Sequence, residues 1–146
     1  MGRTRGLFFF VVAFALGIYV AAGNDYGGVM LFCDSPSFFF VFGGTLGLAA
    51  FSFSTNTWGR GLSVLTRSCP REHTDEAIAF WNGLGLYALL SGIAGTIIGV
   101  VTLFQNLSDI SKFGPSIAVS LVSMTYGVLV FTLCKAVAIS AKAGSE

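Results

Sequence analysis

Charge is scarce in this sequence. Only 10% of its 146 residues are charged, 54% are hydrophobic, and the formal net charge is +1. A soluble domain carries about a quarter charged residues, so a soluble globular protein is excluded. No Asp, Glu, His or Arg lies in the apolar part of any long hydrophobic run, and Lys135 sits near enough to the end of its run to snorkel. Ion transport through hydrocarbon normally depends on an ionisable group inside the membrane. Acting alone, the chain offers only hydroxyls and backbone carbonyls. An ion pathway through it needs a carboxylate from another protein.

Other groups are equally thin. Cys33, Cys69 and Cys134 are widely spaced and fall in different compartments, so they form neither a metal site nor a disulfide set. The one histidine, His73, lies in a polar connection with no partner fixed by the sequence. It reads as a solvated loop residue rather than a pH sensor. No glycine-rich phosphate loop precedes a soluble helix, and the GxxxG-like spacings belong to apolar runs. Neither a catalytic residue nor a metal site is expected, and no cofactor: the chain does not read as an enzyme.

What is present is apolar length. Four runs stand out, at 7–22, 38–53, 77–104 and 117–138. Spanning needs about twenty residues, and interfacial residues bring the two shorter runs to that length. The expected fold is all-α, a four-transmembrane-helix integral membrane protein forming a single membrane domain over 1–146. Within the connection at about 54–76, the stretch from Arg60 to Glu76 has room for no more than a helical turn or two. Of the eight basic residues, Lys112 alone falls in the first or third connection. Arg3, Arg5, Arg60, Arg67, Arg71, Lys135 and Lys142 share the other side, so both termini and the middle loop are expected to be cytoplasmic. Arg60, Arg67 and Arg71, with Glu72, Asp75 and Glu76, make that loop a solvated, mixed-charge segment.

Small residues pattern the runs. After the Gly114-Pro115 break, which suits a helix entrance, Ser116, Ser120, Ser123 and Gly127 fall at steps of four, three and four, with Cys134 one heptad on. They line one helical face, with Val119, Val122 and Met124 opposite. The third run gathers Gly85, Gly92, Gly95, Thr96, Gly99 and Thr102 on one side, and the second has Gly43, Gly44 and Gly47 around Thr45. Serine and glycine are the usual contact residues between membrane helices, so plain packing explains the spacing without any ligand. A short connection makes the last two runs antiparallel neighbours. Either Asp34 or Ser35 can cap the second helix, with Pro36 in its first turn. The first run, bulky with Phe8, Phe9, Phe10, Phe14 and Tyr19, reads as a lipid-facing outer helix.

These segments carry a resemblance. Gly114 to Gly127, G-P-S-I-A-V-S-L-V-S-M-T-Y-G, resembles the last-helix signature of the MotA branch of the MotA/TolQ/ExbB family. Asp34 to Gly47, D-S-P-S-F-F-F-V-F-G-G-T-L-G, is similar to that branch's second helix. Gly92 to Gly99, G-I-A-G-T-I-I-G, is similar to the third-helix pattern of the whole family. The resemblance implies a subunit of an ion-driven rotary motor in the bacterial inner membrane. Five copies would ring a dimer of a MotB/TolR/ExbD-like single-span partner that supplies the membrane aspartate, and H+ or Na+ would be transported. By position, Thr96 and Ser123 match hydroxyls on the family's ion route. Gly43, Gly44, Gly92, Gly95, Gly99, Ser116, Ser120 and Gly127 are expected to pack helices or face the partner, and Arg67 and Arg71 to meet a cytoplasmic partner. Met124 replaces the second threonine of the family pair, and Leu89 and Val137 replace its prolines. The long cytoplasmic insert that engages a flagellar rotor is missing, which favours another envelope machine. The resemblance also favours retention of the first run over cleavage as a secretory signal. Two other functions fit the residues: a TolQ- or ExbB-like energiser of a periplasmic partner, and a structural membrane scaffold.

Overall fold

The computed structural model describes residues 2–23, 32–65, 71–105 and 113–143. All regular structure among the described residues is helical. The chain divides into two compact units, Met1–Ser35 and Pro36–Glu146, each with its own internal contacts.

In the first unit the chain forms α1 (Gly2–Ala21). Its apolar residues are not confined to one stripe, the pattern of a helix made for a hydrocarbon surround. Phe9, Leu16 and Val20 are exposed, and Phe10 stacks on Phe14 one turn later at 6.2 Å between centroids. Gly23 ends the helix with φ 74°, and its N–H donates to the Val20 carbonyl at 3.1 Å. That left-handed conformation suits glycine, which has no Cβ to clash.

The second unit holds α2 (Ser35–Ser52), α3 (Thr55–Ser63), a 3-10 turn (Arg71–His73), α4 (Thr74–Gln105) and α5 (Phe113–Lys142). At about 1.5 Å per residue α4 is about 48 Å long and α5 about 45 Å, more than the roughly 30 Å of hydrocarbon. Both continue beyond their apolar runs, because the polar flanks keep the helical hydrogen-bond ladder going. Among the described residues three helices are long and apolar enough to cross a membrane, Ser35–Ser52, Thr74–Gln105 and Ser116–Lys142. The apolar part of α1, Phe9–Ala21, is shorter.

The connection after α2 opens with a short helix, most of it ahead of the Arg60–Glu76 stretch. Ser54, in an extended conformation, caps α3 by accepting from the Thr57 N–H at 3.4 Å. The nine-residue helix is then fixed to the start of α4. Gly61 is buried where any Cβ would strike the Phe80 ring, and Trp81 Nε1 donates to the Gly61 carbonyl at 2.9 Å. Phe80 itself is fully buried, edge-on to Phe53 and Trp58 at 5.2 Å each. Arg60 pairs with Glu76 across the same junction, with both side chains partly exposed. Packing against an aromatic cluster therefore builds α3, since its own short sequence would not.

Thr102, one heptad after Gly95, is exposed and donates to the Ile98 carbonyl of its own helix at 3.0 Å, while Leu103 beside it is buried. Opposite the serine face Val122 is buried and Met124 exposed, as suits a hydrophobic neighbour for the one and lipid for the other. Asp25, Arg67, Cys69, Asp109 and Lys112 lie outside the described residues, as do the side chains of Arg3, Arg5 and Arg71.

Candidate functional site

Helices α4 and α5 form an antiparallel pair joined by small residues, with larger residue numbers on one helix facing smaller on the other. Gly99 lies against Ser120, Gly95 against Ser123, Gly92 against Gly127, and Gly85 against Cys134 and Phe131. The steps of three, four and seven on α5 are met by steps of four, three and seven on α4, which keeps both faces in register along the pair. At the tightest point the two backbones touch. A Cβ on Gly92 would lie 2.8 Å from the Ser123 carbonyl oxygen and 2.9 Å from Gly127 Cα. Towards the other end, Lys135 Nζ donates to Asn82 Oδ1 at 2.9 Å.

This close approach brings backbone carbonyls within reach of hydroxyls. Thr96 Oγ1 donates to the Gly92 carbonyl of its own helix and to the Ser120 carbonyl of α5, each at 3.0 Å. Ser120 Oγ donates to the Ser116 carbonyl at 2.8 Å. Ser123 does something different. Its Oγ donates to Ser37 Oγ, on α2, at 2.8 Å. Ser123 is 4% exposed and Ser37 5%. The Phe40 ring lies near Gly95, where a Cβ would sit 3.2 Å from it and 3.0 Å from Ser123 Oγ. Three helices thus converge on one buried hydroxyl.

Each hydroxyl has one proton, and those of Thr96, Ser120 and Ser123 already point at protein oxygens. The oxygens of Thr96 and Ser123 keep lone pairs and can only accept. A group entering beside them must bring its own proton or positive charge; a bare carboxylate would find no donor. Among the described residues no buried side-chain nitrogen or oxygen lacks a partner. That satisfaction matters in hydrocarbon, where an unpaired polar group costs about 2–7 kcal/mol. No charged side chain interrupts α2, the length of α4 beyond Glu76, or α5 before Lys135.

The structure gathers some of the expected site residues and separates others. Gly92, Gly95, Gly99, Ser120 and Gly127 all pack between helices of the same chain. Thr96 is half-buried at the edge of that seam, whereas Ser123 lies behind it, covered by α2. Ser116 is half-buried and supplies a carbonyl. Gly44 meets Ser91 of α4: a methyl group added there would lie only 2.6 Å from Ser91 Oγ, while Gly43 has nothing within 4 Å. Both line an apolar cleft of about 450 Å³ between α2 and α4. Arg67 and the Arg71 side chain lie outside the described residues. In the sequence Ser37 stands out only as part of the helix start at Asp34-Ser35-Pro36-Ser37. Its signal is a hydroxyl one residue inside a proline-opened helix, at the depth where α5 carries its serines.

Apolar helices long enough to cross a membrane more than once, seamed by glycine and serine, define a multi-pass membrane protein. The MotA/TolQ/ExbB proton channel family matches residues 63–143, more than half of the sequence, and the chain belongs to that family. The matched stretch contains α4, α5 and the Thr96–Ser120 seam. The chain is also 34% identical to motility protein A of Aquifex aeolicus (strain VF5) over 58 residues, 40% of this chain. It spans 23% of that relative's length.

Proposed function

We propose that the chain is a MotA-like subunit of an ion-driven rotary motor, crossing the bacterial inner membrane four times with both termini in the cytoplasm. Five copies surround two copies of a single-span partner, whose membrane aspartate carries H+ or accompanies Na+ past each subunit in turn. Ion passage turns one assembly against the other. The observation that carries this reading is the pair of hydroxyls, half-buried Thr96 and buried Ser123, in helices without a charged group, each with its proton on a protein oxygen. Their oxygens accept hydrogen bonds but hold no proton outward, which suits a neutral carboxyl or a cation-bound one and disfavours the bare anion. Thr96, at the edge of the seam, meets the partner's carboxyl first, and Ser123 lies one layer behind it. Arg67 and Arg71 transmit the motion to a cytoplasmic partner other than a flagellar rotor, or keep only their topological role.

A second reading has its own support. Gly92, Gly99, Ser120 and Gly127 are engaged inside one chain, which is what a structural membrane scaffold needs and no more. A TolQ- or ExbB-like energiser uses the same site chemistry as the motor. One experiment separates the scaffold from the other two. The full-length chain is purified from its own membranes in mild detergent and weighed intact by native mass spectrometry. Five copies with two of a single-span protein bearing one membrane aspartate are expected. A stable monomer without such a partner overturns the proposal.

A further inference from the structure

We propose that Ser37 is a positioning residue for the ion route, holding the proton of Ser123 away from it. The inference rests on the reading that Ser123 belongs to that route. Ser123 has two ways to satisfy its proton. Serine in a helix normally bonds back to the carbonyl four residues earlier, as Ser120 does to Ser116 and Thr125 does to Leu121. Ser123 instead reaches across to α2 and donates to Ser37. That choice leaves its oxygen lone pairs on the side away from α2, where Gly95 packs directly against it: a Cβ there would lie 3.0 Å from Ser123 Oγ. Both serines are almost fully buried, so water cannot take the place of Ser37. Residues around the pair hold it in place: Val41, one turn after Ser37, is completely buried, and Phe40 covers Gly95. Ser37 therefore decides that Ser123 acts as an acceptor.

The test uses the complete complex of the full-length chain and its single-span partner in liposomes, with proton entry followed by a trapped pH-sensitive dye. Ser37→Cys keeps the shape but replaces the hydroxyl with a weak acceptor; Ser37→Thr keeps the hydroxyl. Loss of one hydrogen bond corresponds to roughly a fivefold effect. Ser37→Cys is expected to lower flux by about that factor and to shift the ion concentration at half-maximal flux. Ser37→Thr should stay within about twofold of the unchanged protein, by the same reasoning. On a Ser123→Ala background, Ser37→Cys should change nothing further, because the two residues act through one bond. Losses that multiply, or normal flux in Ser37→Cys while Ser123→Ala is impaired, overturn the positioning role and leave the ion route standing. A flux loss that tracks lost complex, with half-saturation unmoved, makes Ser37 merely structural and also overturns it. Ser37→Ala replaces the thiol variant if that one does not assemble, and failure of both to assemble has the same meaning. Normal flux in Ser123→Ala removes the ion-route reading itself, and this inference with it.

Discussion

Replacing Gly127 with alanine probes the helix seam directly. The added methyl would lie 2.7 Å from the Ala88 carbonyl oxygen, 3.0 Å from Gly92 Cα and 3.3 Å from Gly92 N. All three are backbone atoms, so no side chain can swing aside, and ordinary contact begins at 3.4 Å. The helices must part by several tenths of an ångström. Parting them stretches the 3.0 Å bond from Thr96 to the Ser120 carbonyl. Overpacking of this kind costs about 1–3 kcal/mol. Alanine also gains about 1 kcal/mol of helix propensity over glycine, which partly hides the loss. Gly43→Ala supplies the matched control, because that position receives the same gain and meets nothing within 4 Å. The two variants should therefore differ by about 1–3 kcal/mol, or roughly 5- to 150-fold in the unfolding equilibrium. Reversible unfolding of the purified chain in mixed micelles, followed by tryptophan fluorescence and circular dichroism, measures both. Equal stability of Gly127→Ala and Gly43→Ala would show that the helices do not meet at this seam.

Thr96→Ala combined with Ser123→Ala should slow ion flux in the reconstituted complex while ring assembly persists. Thr125→Ala, whose hydroxyl bonds only to Leu121 of its own helix at 3.0 Å among its described contacts, should do little; normal flux in the double variant refutes the ion-route assignment. Trp81→Phe removes the indole donor to the Gly61 carbonyl, worth about 1 kcal/mol. Amide hydrogen exchange should then quicken across α3, and unchanged protection would mean that the bond does not hold it. If Arg67 and Arg71 contact a cytoplasmic partner, charge reversal of both should abolish function with the complex intact, whereas undiminished function would leave these residues a topological role alone.

The spacing of small residues makes the α4–α5 seam legible in the sequence. Ser120, Ser123, Gly127 and Cys134 share one face, and their counterparts on α4 repeat the same heptad. What spacing leaves open is who meets that face. Glycine offers the same backbone contact to its own chain as to another, and here the chain itself fills it. Ser37 and Ser123 are 86 positions apart, and no periodicity links them; only the packing of α2 selects that partner. Thr96 illustrates a mixture that sequence presents as alternatives. It bonds back within its helix and across to α5 at once. The helix α3 is hidden for a different reason: its stability lies in Phe80, Trp81 and Glu76, which belong to another segment.

The direction of the hydroxyl protons has a consequence for the cell. A proton hops along a line of groups only when each can receive one proton and release another. A backbone carbonyl receives but has none to release. Thr96, Ser120 and Thr45 all end on carbonyls, so each is a dead end rather than a link. Ser123 donates its proton in a hydrogen bond to Ser37, and both are almost fully buried. Taken with the uncharged lengths of α2, α4 and α5, this leaves Thr96, Ser120 and Thr45 outside any proton relay within the subunit. Such subunits could then sit in a membrane without these hydroxyls carrying protons across it.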